Sequence, residues 1–575
     1  MSTEPMILEV AMEIAFPHDF LEGIAKKFNA QTARECAMST SVGGIGPLLK
    51  ERIIDQSVGG LNVVGVTLLY ESVWVQAWHE WGQINLQKKG VGKILREVLS
   101  PTDFKFPLTF FDGQIVEVEV WKLGYGQATV YFLAAPSITN VVYPGPKDAP
   151  AGSPNPHAWA HEWRLKQSWL VGRGALELAQ KLGAKPGIVV LSETPTIFGH
   201  NRLVMDNLQN NSFFSATKYI FNDHTPLEYA HPIWDQETAK TVLLDPSFYL
   251  SKPAWNPHKK TVDVTSLLVG TCDIVFGVAK KHAGVMKAMA SLKEFAPKIQ
   301  YVTNGVRKED WQAPELRDAD SLSDEKLLEE KMKRKKILLD WAWRHCRLWP
   351  TWAHESQDKK IIAWTRRITP YKRLDLLVRM LKNQEYRKRF LNLNQIIFVG
   401  GRIHQQDNHA QDIVYDLLDI LEKDNDLQQH VIMLDNFNIW EAPILYQGVD
   451  AAIMLADDTR EASATGFMKA LMNGAAIIAT DDGAVPEFVH FDSSSSPTNS
   501  VNGFFIPYVN GEPTTLGLLE ALESFDKASR DAGSHAALMR AALKTTEDVS
   551  VHRTVENMKQ LYGQALNETS VATTG

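Results

Sequence analysis

Hydrophobic residues along the chain follow two alternating patterns. Short apolar runs bounded by turn residues predict buried strands, and apolar residues spaced three and four apart predict the helices between them. The clearest unit is a helix predicted from residue 164, which ends at Gly183 and is followed by a strand at 188–191. Further strands are predicted at residues 7–16, 63–66, 213–221, 361–364, 396–399, 431–434, 448–454 and 475–479. Such alternation predicts an α/β fold with parallel sheets.

Two segments depart from this alternation. Residues 115–120 and 129–133 alternate apolar with polar positions, which predicts antiparallel strands added to the first sheet. Residues 324–343, DEKLLEEKMKRKKILLDWAW, predict a long amphipathic helix of mixed charge, which we interpret as a solvated structural element. The predicted organisation is an N-terminal α/β domain with added strands (1–315), a charged helical connection (316–358) and a C-terminal Rossmann-like domain (359–575).

Composition narrows the classes of function. With 575 residues, 44% of them hydrophobic and 22% charged, the chain is long enough for two large domains of an ordinary globular protein. A net charge of −8 argues against a nucleic-acid-binding surface, which needs a basic stripe. Three scattered cysteines fit reduced thiols better than a disulfide scaffold or a metal site. The sequence shows neither a membrane span nor a signal peptide, so we expect a cytoplasmic protein without membrane partners.

One lysine stands out by its surroundings. Lys469 follows the small, polar run 461–466 and should lie in the first turn of a short helix that begins near Gly466 and stops at Asn473-Gly474. Small residues let backbone amides approach an anion, and a helix start adds unpaired N–H groups. An amine beside such a site can condense with an aldehyde cofactor that carries the phosphate. The alternative is an ordinary surface lysine.

A second pattern is a concentration of positive charge after the strand at 361–364. The loop 365–373, TRRITPYKR, places four cations within eight residues, and these would repel one another unless anions lie among them. Solvation at the surface is the alternative. Residues 192–195 and 222–226 also follow predicted strands, and ligands of doubly wound sheets gather at the carboxyl ends of strands. The glycine-rich turn 41–48 is by itself a weak phosphate signal.

The lysine segment closely resembles the cofactor-lysine segment of the α-glucan (glycogen, starch and maltodextrin) phosphorylases. Their pattern E-A-S-G-T-x-x-M-K, followed by N-G and D-G, is matched throughout residues 461–469, 473–474 and 482–483 except at Ala464, where the family has glycine. The resemblance implies that Lys469 carries pyridoxal 5'-phosphate and that Thr465 and Gly466 hold its phosphate. It also implies contacts between the glucosyl unit and Glu461, Ser463 and Ala464, with the methyl group at 464 crowding that contact.

The cation loop matches a second family pattern, [KR]-R-x-x-x-Y-K-R. The resemblance implies that Arg366 pairs with the cofactor phosphate, and that Arg367 and Lys372 bind the substrate phosphate. Tyr371 lies within the same motif and is assigned to substrate binding. The T-N-G-[IV] motif at 303–306, with a tryptophan shortly after it, implies that Asn304 hydrogen-bonds a sugar hydroxyl at the crossing between the domains.

Weaker matches lie in the first domain. The G-G-[LI]-G loop at 43–46 implies that Gly44 and Ile45 face the cofactor phosphate and the sugar. The H-T at 224–225 implies that His224 lies against the glucosyl unit near the scissile bond. A further family motif is an acidic residue followed by threonine and, in animal members, by histidine. Glu193 keeps the acidic residue, but Pro195 occupies the histidine position. A contact that the histidine makes is therefore missing or replaced.

The resemblance implies a GT-B fold, in which two doubly wound α/β domains face a cleft. The implied enzyme is an α-glucan phosphorylase of glycogen catabolism, which reversibly phosphorolyses terminal α-1,4 bonds and gives glucose 1-phosphate with retention. Arg367, Lys372 and His224 are the expected catalytic residues. The expected partners are an α-glucan or maltooligosaccharide and inorganic phosphate, with a homodimer as one option for assembly.

Two alternatives remain. A retaining, nucleotide-sugar-dependent glycosyltransferase resembling glycogen or starch synthase would use the cation loop for a diphosphate and has no use for Lys469. A catalytically silent glucan-binding homologue is the other, because Ala464 and Pro195 depart from the family pattern.

Overall fold

The computed structural model describes residues 5–78, 84–200, 212–227, 230–243, 246–250, 252–347, 356–404, 407–491 and 500–567. The chain divides into two compact units. Unit 1 comprises Met1–Val73, Lys88–Thr303 and Thr554–Gly575, and unit 2 comprises Trp74–Gln87 and Asn304–Arg553. The domain boundaries at 315 and 359 stay a prediction.

The strands of the described residues are numbered in chain order. They are β1 (Met6–Val10), β2 (Val63–Leu68), β3 (Ser72–Trp78), β4 (Ile84–Gly90), β5 (Ser100–Thr109), β6 (Ile115–Tyr125), β7 (Ala128–Ala134), β8 (Pro186–Ser192), β9 (Lys218–Asp223), β10 (Ile233–Asp235), β11 (Trp255–Asn256), β12 (Thr261–Asp263), β13 (Ile274–Gly277), β14 (Ile299–Tyr301), β15 (Cys346–Arg347), β16 (Lys360–Thr365), β17 (Gln395–Gly400), β18 (Val431–Leu434), β19 (Ala451–Met454), β20 (Ala476–Ala479), β21 (Gly503–Phe505), β22 (Tyr508–Val509) and β23 (Glu512–Pro513).

The α-helices are numbered in the same way. They are α1 (His18–Lys27), α2 (Ala30–Ser39), α3 (Ile45–Val58), α4 (Gly92–Val98), α5 (Pro156–Lys181), α6 (Gln236–Leu243), α7 (Ser247–Leu250), α8 (Val264–Thr271), α9 (Lys280–Ala288), α10 (Lys308–Trp311), α11 (Asp324–Ala342), α12 (Asp375–Lys382), α13 (Gln384–Leu391), α14 (Asn408–Glu422), α15 (Ala442–Gly448), α16 (Gly466–Leu471), α17 (Val485–Phe488), α18 (Thr515–Ala528), α19 (Ala532–Leu543) and α20 (Val551–Asn567).

Unit 1 is built on a sheet whose described strands run in the order β14-β13-β9-β8-β1-β2-β7-β6-β5. The pairs from β14 to β7 are parallel, and β7, β6 and β5 pair antiparallel. The predicted addition of antiparallel strands is therefore confirmed. Helices α5 and α8 contribute buried apolar residues such as Trp169 and Leu267 to the core that also includes Phe221 of β9.

Unit 2 contains a second sheet, in the order β15-β18-β17-β16-β19-β20-β21. All neighbouring pairs from β18 to β21 are parallel, and only the short edge strand β15 pairs antiparallel. The residues of β17, β18, β19 and β20 are buried throughout, which is why these strands are apolar without alternation. The predicted doubly wound α/β class is observed in this unit.

Several predicted boundaries were wrong. Helix α5 starts at Pro156, eight residues before the predicted start, because the Asn155 side chain caps Ala158 N and a proline occupies the first turn. Strand β1 ends at Val10 rather than near 16, and β9 begins only at Lys218.

The helix predicted at 324–343 is observed as α11, but its interpretation as solvated was wrong for two of its lysines. Lys335 is 3% exposed and places its Nζ 2.8 Å from Asp450 Oδ2. Lys331 is 2% exposed and donates to the carbonyl oxygen of Asn473 at 2.9 Å. Burial lowers the pKa of Lys331 to about 7. The helix is thus anchored to the unit 2 core by buried polar contacts.

Candidate active site around Lys469

The loop after β16 brings two basic side chains onto one carboxylate. The Nη2 of Arg366 donates to Glu461 Oε2 while its Nη1 donates to the carbonyl oxygen of Leu455. Lys372 Nζ lies 3.0 Å from the same Oε2. The side chains of Arg366, Lys372 and Glu461 are 6%, 14% and 10% exposed. The predicted cation loop and the lysine segment are therefore joined by a buried ionic cluster.

The cluster carries more positive than negative charge, and its pKa values reflect this. Burial would raise the pKa of Glu461, but Lys372 and Arg366 lower it to about 2. Burial and the nearby Arg366 lower the pKa of Lys372 to about 7, although Glu461 opposes the shift. A second anion placed here would favour the ammonium form of Lys372. The site is therefore suited to an additional anionic ligand.

Arg367 and Tyr371 complete the loop. Arg367 is exposed, and it lines, with Arg366 and Lys372, a small pocket that reaches Trp364. Tyr371 is half-buried, and burial followed by the charge of Glu461 raises the pKa of its hydroxyl to about 12. Tyr371 therefore stays a neutral hydrogen-bonding group at physiological pH. The three cations that the sequence assigned to phosphates line one pocket.

Lys469 lies in helix α16, which begins at Gly466 as predicted. Its side chain is 8% exposed, and its Nζ lies 3.9 Å from the ring centroid of Trp311 and 6.0 Å from that of Tyr446. An ammonium group over an indole face is held by cation–π attraction. The structure thus brings the tryptophan after the T-N-G-V motif directly to the lysine.

Tyr446 and Asn473 position the elements that carry this lysine. Thr365, at the end of β16, donates to the Tyr446 hydroxyl at 3.4 Å, and a Cβ at Gly466 would lie only 3.0 Å from that hydroxyl. Asn473 donates from Nδ2 to the carbonyl oxygens of both Lys469 and Trp311, each at 2.9 Å. Gly466 therefore leaves room for the Tyr446 hydroxyl, and Asn473 links Lys469 to Trp311.

The run 461–465 forms the predicted polar loop. Ala464 adopts φ 65°, a left-handed conformation that suits the glycine found there in the phosphorylases. Ser463 is 5% exposed, and its Oγ has no hydrogen-bond partner among the described residues. Thr465 makes no side-chain cap to α16. Asp482 Oδ2 accepts from Glu461 N at 2.8 Å, which holds the start of the loop.

Asn304 is the first residue of the longer segment of unit 2 and is 6% exposed. Its carbonyl oxygen accepts from Arg553 at 2.7 Å. The next residue, Gly305, approaches the chain so closely that a Cβ would lie 2.2 Å from the carbonyl oxygen of Ser550. The T-N-G-V motif is therefore a tight backbone junction, and its glycine cannot be replaced without moving the chain.

Two of the predicted site residues lie in unit 1, at the carboxyl ends of neighbouring strands. Glu193 follows β8 with φ 68°, and its Oε1 accepts from His224 N at 3.1 Å and from Thr225 Oγ1 at 2.9 Å. Burial and the charge of Asp223 raise the pKa of Glu193 to about 8. Burial lowers the pKa of His224 to about 3, and its Nε2 has no hydrogen-bond partner among the described residues. The structure brings Glu193 and His224 together, with a neutral imidazole.

Sequence reasoning missed three ionisable residues behind this pair. Asp223 is fully buried, and its Oδ2 lies 3.4 Å from His231 Nε2 and 3.8 Å from His282 Nε2. His231 also bonds the carbonyl oxygen of Thr225 at 2.9 Å. Burial would lower the pKa of His231, but the hydrogen bond and charge of Asp223 raise it to about 9. The only available signal was the position of Asp223 at the end of a strand, next to His224.

The glycine-rich loop 43–46 leads into helix α3 in unit 1. Gly44 is exposed and Ile45, the first helical residue, is half-buried. Glu13, after β1, accepts from Val42 N at 2.7 Å and so holds the loop start. A Cβ at Gly46 would lie 2.2 Å from the carbonyl oxygen of Thr40, so this position requires glycine. The loop is thus bonded to the segment that follows β1, and the contacts implied for Gly44 and Ile45 stay a prediction.

The lysine segment and the cation loop together have the residue types that fit an aldehyde cofactor carrying a phosphate. A primary amine lies mostly buried, and Arg366, Arg367 and Lys372 outnumber the single carboxylate of Glu461. Arginine and lysine side chains are the usual protein partners of a phosphate dianion. Among the described residues, no group of three or more His, Cys, Asp and Glu side chains could hold a metal ion.

Comparison with known proteins finds similarity to carbohydrate phosphorylases. Residues 318–491, which include the cation loop and Lys469, match the family model described as carbohydrate phosphorylase. The chain is 22% identical over 507 residues to the maltodextrin phosphorylase of Thermococcus litoralis, which covers 77% of this chain and 58% of that protein. It is 24% identical over 510 residues to the glycogen phosphorylase of Aquifex aeolicus, which covers 77% of this chain and 71% of that protein. The chain is a relative of the α-glucan phosphorylases.

This phosphorylase relative has the GT-B fold that the sequence predicted. The catalytic domain of starch synthase IV from Arabidopsis thaliana, solved with ADP and acarbose bound, matches it with a TM-score of 0.71, covering 98% of this chain and 100% of that one. At 17% identity this similarity is one of fold. The phosphorylase relative spans a little over half the length of the Thermococcus protein. In its described part, none of the helices has the length and apolar character needed to cross a membrane.

Proposed function

We propose that this chain is an α-glucan phosphorylase. It cleaves the terminal α-1,4 bond of a glucan or maltooligosaccharide reversibly with inorganic phosphate, and releases glucose 1-phosphate with retention. The observation that carries the proposal is that one segment supplies both the buried amine of Lys469 and, eight residues before it, Glu461, the carboxylate that Arg366 and Lys372 share. The relationship to maltodextrin and glycogen phosphorylases supports a glucan as the substrate. A role in glycogen breakdown, a cytoplasmic location and assembly as a homodimer belong to the same proposal.

Pyridoxal 5'-phosphate is the proposed cofactor, with Lys469 as its covalent anchor. When bound, it supplies a phosphate group that gives proton relay and electrostatic support beside the substrate phosphate. Arg366, whose guanidinium is already fixed by Glu461, and the backbone at Thr465 and Gly466 hold that group in the proposal. The indole of Trp311 packs against the anchor.

Arg367 and Lys372 bind the substrate phosphate in the proposed reaction. Phosphorolysis needs a proton for the leaving oxygen and negative charge close to a cationic sugar transition state, and inorganic phosphate brings both. Lys372 has a pKa of about 7, so binding of a dianion draws it fully into the ammonium form. The exposed Arg367 lines the same pocket and supplies a second positive charge.

The proposed sugar contacts of unit 2 come from Glu461, Ser463, Ala464, Asn304 and Tyr371. The buried Oγ of Ser463, which has no protein partner among the described residues, is available to a sugar hydroxyl. The Tyr371 hydroxyl stays protonated and can donate.

The proposed contacts of unit 1 are made by His224, Glu193, Ile45 and Gly44. His224 is neutral, and its Nε2 makes no hydrogen bond to the described chain, so it can exchange a hydrogen bond with a hydroxyl. Glu193 fixes the backbone of His224 and thereby orients the imidazole.

The test is the absorbance spectrum between about 300 and 450 nm of protein incubated with pyridoxal phosphate, before and after borohydride. We expect a cofactor band that borohydride fixes covalently in the wild type and in Lys388→Ala, a matched variant on the exposed face of α13. Lys469→Arg keeps the charge but should lack the band. Release of glucose 1-phosphate from maltooligosaccharide and phosphate is then measured in the loaded protein.

The alternative enzymes give different results in the same experiments. No band, together with glucosyl transfer from a nucleotide sugar, would contradict the phosphorylase proposal and support a synthase-like transferase. A glucan complex with neither activity would support a silent homologue.

A further inference from the structure

Three of the four cations of the loop after β16 pair with carboxylates, and they do so in two separate groups. Arg366 and Lys372 contact Glu461, but Arg373 contacts three other carboxylates. Its Nε and Nη2 donate to the two oxygens of Asp375 at 3.1 and 3.3 Å. Its Nη1 lies 2.8 Å from both Asp457 Oδ1 and Glu512 Oε2. Arg373 therefore belongs to a second cluster, the brace, which consists of Arg373, Asp375, Asp457 and Glu512.

We propose that Arg373 is a positioning residue for phosphate binding: it fixes the phosphate-binding loop against the lysine segment and touches no substrate itself. The inference rests on the proposed function, because it concerns the loop that carries Arg366, Arg367 and Lys372. According to this inference, phosphate binding also depends on Arg373, which lies outside the ionic cluster of Arg366, Lys372 and Glu461.

The brace joins three separate segments of unit 2. Asp457 lies after β19, four residues before Glu461, and Glu512 lies in the β22–β23 hairpin. Backbone hydrogen bonds follow the same connections, since Asp457 N donates to Tyr371 O at 3.0 Å and Asp458 N donates to Gly511 O at 2.9 Å. The contacts of Asp457 with Arg373 and Tyr371 therefore fix the distance between the phosphate-binding loop and Glu461.

The backbone of Arg373 shows that this geometry is enforced. Its φ of 58° and ψ of 35° lie in the left-handed region, which a residue with a Cβ rarely adopts. In this conformation Lys372 reaches Glu461, while the adjacent Arg373 reaches the carboxylates of the brace. The ion pairs of Arg373, whose side chain is 8% exposed, offset the unfavourable backbone conformation.

Arginine suits this position better than lysine. A planar guanidinium can bind one carboxylate through two parallel hydrogen bonds and still donate to others, as Arg373 does with Asp375 on one side and Asp457 and Glu512 on the other. A lysine at this position has a single nitrogen and would keep only part of the brace.

The test measures sulfate binding to the full chain by calorimetry, together with the KM values for inorganic phosphate and for maltooligosaccharide. Arg373→Gly keeps access to the left-handed conformation but removes the ion pairs. We expect its sulfate Kd and phosphate KM to rise about tenfold while the maltooligosaccharide KM stays within about twofold. Arg373→Lys should give an intermediate value. Arg379→Gln is the matched control, because Arg379 also pairs with Asp375, at 2.9 Å, from an exposed position, and it should behave as wild type.

Two outcomes would overturn the inference. One is a folded Arg373→Gly protein with the wild-type sulfate Kd, and the other is an equal loss of phosphate and maltooligosaccharide affinity. If Arg373→Gly does not fold, Glu512→Gln decides, because Glu512 is 64% exposed and its loss removes one contact of the brace. A two- to threefold rise in its phosphate KM or sulfate Kd is expected, and no change contradicts the inference.

The wild type separates this inference from the proposed function. A wild type that binds sulfate but releases no glucose 1-phosphate contradicts the phosphorylase activity, and the sulfate Kd of the variants then decides the role of Arg373. A wild type that binds no sulfate overturns the inference itself.

Discussion

Replacing Glu461 by glutamine tests the charge balance of the candidate site. Glutamine keeps the shape of the side chain but removes the charge that Arg366 and Lys372 share. Both cations are largely buried, so the variant leaves them without their carboxylate. We expect the free energy of unfolding at pH 7 to fall by about 2 kcal/mol, which in a chain of 575 residues lowers Tm by only about 2 °C.

The magnitude follows from the lowered pKa values of Glu461 and Lys372, which have opposite effects on the stability of the charged cluster. The pKa of Glu461 falls from 4.5 to about 2, which is equivalent to roughly 3 kcal/mol in favour of the native carboxylate. Burial and Arg366 lower the pKa of Lys372 from 10.5 to about 7, so this ammonium is itself held unfavourably and can release its proton when Glu461 is lost. The loss is therefore smaller than the carboxylate shift alone indicates.

The assay is urea unfolding followed by tryptophan fluorescence, with and without sulfate. Sulfate should stabilise Glu461→Gln more than the wild type, because the anion replaces the missing charge. Because the folded pKa of Glu461 lies below its unfolded value, its contribution is present above pH 4.5 and is lost as the pH falls towards 2. The difference between the two proteins should shrink over that range.

Glu315→Gln provides the control, since Glu315 pairs with Arg334 but is 43% exposed. Its loss should cost less than about 1 kcal/mol. The reasoning is refuted if Glu461→Gln is no less stable than Glu315→Gln, or if sulfate stabilises Glu461→Gln and the wild type equally.

Three further predictions concern single residues. The sulfate affinity of the chain should fall about tenfold between pH 6 and pH 8 as Lys372 loses its proton, and calorimetry on Lys372→Arg should show little of this dependence. His231→Gln should destabilise unit 1, and because the folded pKa of His231 is raised to about 9, the difference in unfolding free energy should be full below pH 6.5 and vanish as the pH rises through 9; an unchanged difference at pH 9.5 would contradict the Asp223–His231 pairing. Ala464→Gly should relieve the left-handed backbone and raise stability by about 0.5–1 kcal/mol in urea unfolding, and a loss of stability would show that the methyl group is packed.

Local patterns carried much of the prediction of unit 2. Helix α16 begins at Gly466 as predicted, because small residues before it and Asn473-Gly474 after it are local signals. The cations at the end of β16 were predicted to gather around an anion, and the structure supplies Glu461, 95 residues after Arg366, as that anion. The resemblance named this glutamate as a sugar contact, and its pairing with the cations needed the fold.

Long-range partners explain most of what was missed. Lys335 lies in a run of charged residues that predicts solvation, but its partner Asp450 is more than a hundred residues away, so the helix face it occupies could not be inferred. His282, in α9, meets Asp223 only because β9 and β13 are neighbours in the sheet. The early start of α5 was different, since the Asn155-Pro156 pair was a readable cap signal.

The longer segment of unit 2, Asn304–Arg553, begins and ends at one place. Asn304 accepts a hydrogen bond from Arg553, and Val306 bridges to Ser550 in parallel, so the two ends of a 250-residue segment are adjacent. After Arg553 the chain returns to unit 1, where Tyr562 of α20 accepts from Gln56 of α3. Unit 2 is thus largely an insertion, and shortening the chain at its C-terminal helix would weaken the unit that begins at the N-terminus. An insertion whose ends meet can also be exchanged or excised with a short linker, since closing so small a gap costs little entropy.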